Sequence, residues 1–194
     1  IAALGFDYVG ISLDGRRETH DAFRRKQGAF DESIGAARAC RAAGIKVGLR
    51  FTLTEGNAAD LPWLLELAER EGIDKFYLSH LNYGGRGNVN RKTDAMFRTT
   101  RDAMDLVLDA AWRAIEAGRK REFVTGNNDA DGVYLLHWVR ERFPGREAHL
   151  RAKLDEIGVG GKTIIVVTSD HGDEFFEHDR KGHHRTLYDE ILRV

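Results

Sequence analysis

The chain has 194 residues, enough for one sizeable core or for one domain with an appendage. Its 30 basic and 31 acidic residues leave a net charge of -1, which argues against bulk electrostatic attraction to nucleic acid or to a membrane surface. No apolar run approaches the roughly 18 residues that a membrane span needs, no signal peptide precedes the first strand pattern, and a cytoplasmic location is expected.

The predicted elements alternate. Residues 6–13 (FDYVGISL) are apolar and β-rich, and Asp14-Gly15 closes them as a turn. Residues 30–43 carry helical periodicity, with Phe30, Ile34, Ala37 and Cys40 on one face, Asp31 as the expected N-cap and Gly44 as the stop. Arg41 shares that face, so its stem must carry the guanidinium outward. A strand is expected over residues 46–53, a helix over 57–71 ended by Gly72, and a third strand over 74–81. Strand and helix in strict alternation with short links predict an α/β fold of parallel β/α units. Helices are expected over 93–117, over 132–143 before Pro144, and over 146–157. The run KTIIVVT (162–168) reads as a strand covered on both faces. The single cysteine, Cys40, excludes an internal disulfide and an all-cysteine metal or iron–sulfur site. It reads as a buried structural thiol. The chain opens at Ile1 rather than Met and closes inside the apolar LYDEILRV, so both ends read as cuts.

The segment YVGISLDGRRETHDAFRRKQGAFDESIGAARACRAAGIKVGLRFTLTEGN resembles the core of radical S-adenosylmethionine enzymes of the twitch/SPASM kind. The shared series is Ser12, Leu13, Asp14, Gly15, His20, Asp21, Arg24, Gly28, Phe30, Asp31, Thr54 and Asn57. Downstream, DKFYLSHLNYGGRGNVNRKTDA and EFVTGNNDADGVYLLHWV look closer still to the haem d1 biosynthesis members, which modify propionate side chains of a tetrapyrrole. Over residues 1–150 the resemblance implies a partial (β/α) radical S-adenosylmethionine barrel with parallel strands, lacking the cluster-binding N-terminal part, with a tetrapyrrole substrate and two cofactors, S-adenosylmethionine and a [4Fe–4S] cluster. It places Ser12, Asp14, Arg24, Thr54 and Asn57 at the S-adenosylmethionine site. Ser12 and Asp14 suit ribose or amino-group hydrogen bonds, and Arg24 suits a carboxylate. The cluster needs three thiolates and the chain offers one, so activity of this chain alone is not expected. No partner nucleic acid or membrane is implied.

Residues 153–194 carry a second resemblance, to sulfatases of the alkaline-phosphatase superfamily. It rests on Ser169, Asp170, His171, Gly172, Glu177, His178, Gly182, His183 and the run from Thr186 to Glu190. It implies a C-terminal α/β fragment in which Asp170 and His171 bind a divalent metal and His183 faces the substrate. No Cys/Ser-x-Pro-x-Arg segment is present to supply that family's nucleophile, so sulfatase activity is not expected. The alternative function is thus a metal-dependent hydrolase fragment or a non-catalytic α/β chimera. Asn127, Asp129, Asp131 and Gly132 mimic the start of a calcium loop, but the position that must be a bidentate Glu is Trp138. The run reads instead as a helix cap.

Overall fold

A computed structural model describes residues 5–83, 87, 91–128, 130–149, 152, 174–175 and 181–182. Its centre is a four-stranded sheet of β1 (Tyr8–Ser12), β2 (Lys46–Thr52), β3 (Lys75–Ser79) and β4 (Glu122–Gly126), ordered β1-β2-β3-β4. All three pairings are parallel. Ser12 lies opposite Arg50, Thr52 opposite Ser79, and Ser79 opposite Gly126. The three expected strands are therefore parallel neighbours, and the α/β architecture with helices on one face is as the alternation predicts.

The helices are α1 (Arg17–Arg24), α2 (Ala29–Ala42), α3 (Leu61–Arg70), α4 (Phe97–Glu116) and α5 (Asp131–Arg142). Successive strand residues point to opposite faces. Val47, Leu49, Phe51 and Leu53 all face the helices and are at most 1% exposed. They join Phe76 and Leu78 from β3 with Phe30 and Ile34 from α2, Leu61 and Leu64 from α3, and Met104 and Val107 from α4. Full burial of a single side chain of this size is worth about 1.5–3 kcal/mol. A second apolar group forms where α4 meets α5: Trp112 stacks on Phe143 at 4.1 Å between ring centres, and Trp138 meets Phe143 edge-on at 5.4 Å.

Several local expectations need correcting. The helix α1 and the strand β4 were not expected. The helix α2 starts from Gly28, not Asp31, because Asp21 reaches across from α1: its carboxylate accepts from Gly28 N–H at 2.7 Å and from Phe30 N–H at 2.8 Å. Asp31 instead pairs with Arg17. Gly44 does stop α2, at φ 77°, a left-handed conformation that suits glycine. The helix after β2 begins at Leu61, after a 3-10 turn over Ala58–Asp60, so Asn57 lies outside it. Cys40 is partly rather than fully buried against the core. Arg41 does turn outward, donating to the Glu71 carbonyl at 2.5 Å.

The other sheet face is polar and aromatic, and no described helix packs on it. Tyr8 crosses to β2, where a side chain at Gly48 would meet its hydroxyl. Lys75 lies 4.9 Å over the Tyr8 ring and pairs with Glu122 at 2.7 Å. Arg50 lies 5.0 Å over the Tyr77 ring. A two-residue pairing, β5 (Glu174–Phe175) with β6 (Lys181–Gly182), is antiparallel. The strand expected over 162–168, and Asp170, His171 and His183, lie outside the described residues.

Candidate functional site

The carboxyl-terminal edge of the sheet collects the residues singled out by the sequence. Ser12 ends β1, Asp14 follows it, Thr54 and Asn57 follow β2, and Arg24 ends α1. In parallel α/β sheets this edge is where ligands sit.

Asp14 is completely buried. Its Oδ2 accepts from Arg24 Nε at 2.7 Å and lies 2.6 Å from Arg24 Nη2, so the guanidinium neutralises a carboxylate that burial alone would penalise. Its main-chain N–H donates to His20 Nδ1 at 3.0 Å. That bond makes Nδ1 an acceptor and puts the hydrogen on Nε2, which faces the Ser33 hydroxyl at 3.3 Å. The 3.4 Å approach of His20 Nδ1 to the Asp14 carboxylate is therefore proximity rather than an ion pair.

Asn57 is 2% exposed and spends its whole amide on the backbone. It donates to the Asp14 carbonyl at 3.0 Å and to the Thr52 carbonyl at 2.8 Å, and accepts from Thr54 N–H at 2.8 Å. It thus ties the end of β1 to the end of β2. Thr54 is 3% exposed and bridges Asp94 in the loop before α4. Ser12, half-buried, makes no side-chain hydrogen bond to a described residue. The structure brings the five residues to one edge, yet Asp14 and Asn57 are committed to each other's surroundings, and Arg24 already holds a carboxylate of the chain itself.

Other groups lock the same edge. Asp60 accepts from Arg16 N–H at 2.8 Å and from Arg16 Nε at 3.1 Å, pinning the loop after β1. The carboxyl group of Asp21 is held below its ordinary range, first by the Phe30 N–H and then by that of Gly28, against the opposing effect of burial.

Sequence reasoning missed one pair. His80, directly after β3, places Nε2 3.0 Å from both carboxylate oxygens of Asp131, the first residue of α5. Seeing it required the fourth strand, which carries the chain back beside β3. Among the described residues no group of three or more His, Cys, Asp or Glu is placed to hold a metal ion, and no helix is long and apolar enough to cross a membrane.

The chain is similar to the pre-heme d1 synthase of Dinoroseobacter shibae, with 51% identity over 172 residues, 88% of this chain and 43% of that protein. It is also similar to the Fe-coproporphyrin III synthase of Methanosarcina barkeri, with 36% identity over 187 residues, 94% of this chain and 47% of that protein. The chain thus spans somewhat less than half the length of these relatives. A coarse structural overlap, TM-score 0.48 at 15% identity, exists with Streptococcus suis SuiB bound to precursor peptide SuiA, covering 73% of this chain and 33% of that one. No protein-family profile matches. A match over 94% of 194 residues leaves about 12 outside, so about 30 or more of the 42 residues from 153 to 194 fall within the similarity to the Fe-coproporphyrin III synthase. The sulfatase reading of that stretch gains no support from these relatives.

Proposed function

We propose that this chain is the strand-and-helix part of a radical S-adenosylmethionine enzyme that modifies a tetrapyrrole in haem biosynthesis. The observation that carries the reading is 51% identity across 88% of the chain to a pre-heme d1 synthase, with the motif residues converging on one sheet edge. S-adenosylmethionine, when bound and reduced, would supply the radical. The residues present suit its polar parts: Ser12, at a strand end, has a hydroxyl that bonds to no described residue, and Arg24 keeps 31% of its side chain exposed beside Asp14. In this reading Asp14, Thr54 and Asn57 shape the cofactor's seat by fixing the loops around it. A [4Fe–4S] cluster does not fit these residues. Cys40, on α2 and packed against the core, supplies one thiolate where three are needed.

The test is equilibrium binding. Titration calorimetry of the chain with S-adenosylmethionine and, separately, with iron coproporphyrin III should show saturable binding of each. Replacing Ser12 by Val should weaken S-adenosylmethionine at least fivefold without lowering the melting temperature. Absence of saturable binding of either molecule to the folded chain would overturn the reading.

A further inference from the structure

The sheet face that the helices leave open carries two tyrosines laid across neighbouring strands. A side chain at Gly48 would meet the Tyr8 ring, and one at Gly126 would meet the Tyr77 hydroxyl. A cation sits over each ring, Lys75 over Tyr8 at 4.9 Å and Arg50 over Tyr77 at 5.0 Å. The two cations differ in their partners. Lys75 is neutralised by Glu122 at 2.7 Å. Arg50 is exposed and its side chain meets no carboxylate and makes no hydrogen bond among the described residues. Its main chain is firmly mounted, because β2 is flanked on both sides, with Ser12 and Tyr77 opposite Arg50. Stacking on Tyr77 engages one face of the planar guanidinium, while the N–H donors lie along its edges and stay open to an oxyanion. Lys46 shares this face but starts β2, roughly 13 Å back along the strand. Ligands of parallel sheets gather at the other end, where Arg50 is.

We propose that Arg50 pairs with a propionate carboxylate of the substrate and is a specificity-determining residue, selecting a macrocycle that keeps its acidic side chains. This rests on the tetrapyrrole reading above and adds to it the residue that reads the substrate's charge. Flat aromatic rings topped by an unanswered guanidinium match a flat macrocycle with carboxylates at its rim. A guanidinium takes a carboxylate with two parallel N–H bonds, which lysine cannot copy. Arg50 is level with Ser12 in the strand register, so a propionate held there lies beside the seat proposed for the cofactor. The methionyl carboxylate of S-adenosylmethionine is the competing anion. That carboxylate already has a proposed partner in Arg24 at the end of α1, whereas Arg50 belongs to the open face.

The experiment compares iron coproporphyrin III with its carboxamide derivative, in which every propionate is uncharged, as ligands of the full chain. The wild type should bind the carboxylate form at least about tenfold more tightly, the scale of one charge-assisted pair. Arg50→Gln should bind the two forms equally, Arg50→Lys should keep only part of the preference, and neither should change the affinity for S-adenosylmethionine. A merely structural Arg50 would weaken both porphyrins alike, and that result overturns the assignment. So does a loss of S-adenosylmethionine affinity in Arg50→Gln, which would give Arg50 to the cofactor's carboxylate. Failure of iron coproporphyrin III to bind the folded wild-type chain overturns the tetrapyrrole reading together with this assignment. Should Arg50→Gln not fold, spectra of the wild-type chain labelled with 15N-arginine decide. Metal-free coproporphyrin III should move the Arg50 Nε–H resonance and its carboxamide should not; an unmoved resonance at saturation overturns the assignment alone.

Discussion

Asn57 satisfies three backbone groups with one side chain, through two buried hydrogen bonds and one part-buried one, and alanine there strands all three. Each unpaired buried group costs roughly 1–3 kcal/mol, and with partial relaxation the loss should be about 2–4 kcal/mol. Urea unfolding of Asn57→Ala, with an unchanged slope, measures it. Asn57→Asp should be no better, because it sets a negative oxygen against the Asp14 and Thr52 carbonyls. Asp21 offers a pH-dependent counterpart. Its carboxyl titrates below its ordinary value of 3.8 in the folded chain because the Phe30 and Gly28 N–H groups favour the charged form. A lowered folded value means the stabilisation is complete above the ordinary range and is lost as the pH falls through the folded value. Asp21→Asn should thus be less stable than the wild type at pH 7, and the two should converge as the pH drops below about 4. Melting curves across pH 2.5–7 check it; a gap that stays constant would mean the carboxylate charge is irrelevant.

At the level of elements, the start of α4 is held from a distance. Glu55, in the loop after β2, accepts from Met96 N–H at 2.5 Å and from the Thr99 hydroxyl at 2.9 Å. This is the work of an N-cap done by a residue more than forty positions away. Glu55→Ala should cost about 1 kcal/mol, typical of a lost cap, and amide hydrogen exchange over residues 97–100 should speed up. The same feature marks where sequence reading stops. Residues 46–53 were legible as a strand because their alternation and β-branched or aromatic content act locally. The strand β4 was not, because its five residues carry no periodicity of their own and become a strand by pairing with β3. Helix α1 was hidden by its charge: only His20 and Asp21 of its eight residues are buried, so it presents no apolar stripe. Asp31 was a reasonable cap by position, yet Asp21 took the role through a tertiary contact. Of the candidate site, Ser12, Asp14, Arg24, Thr54 and Asn57 were singled out by the family resemblance; the structure gathers them at one sheet edge, where Ser12 ends β1, Asp14, Thr54 and Asn57 follow strands and Arg24 ends α1. The His80–Asp131 pair was not, since 51 positions separate partners that meet only when β4 is in place.

For the whole molecule, the cysteine count sets an experimental boundary. Anaerobic reconstitution of this chain with iron and sulfide should give no stoichiometric [4Fe–4S] spectrum, since one thiolate cannot hold a cluster that needs three or four. A cluster spectrum that vanished in Cys40→Ala would refute this. The order of the sheet has a different consequence, for the birth of the chain. Spatial order β1-β2-β3-β4 is also chain order, so every strand docks on the edge its predecessor has just left. Among these four described strands, none must wait for a later one to be inserted between it and its neighbour. Assembly can therefore keep pace with a ribosome delivering about 5–20 residues per second, growing outward one β/α unit at a time. Force measured on stalled nascent chains should then rise in steps, each as a further strand clears the exit tunnel, rather than in a single late event.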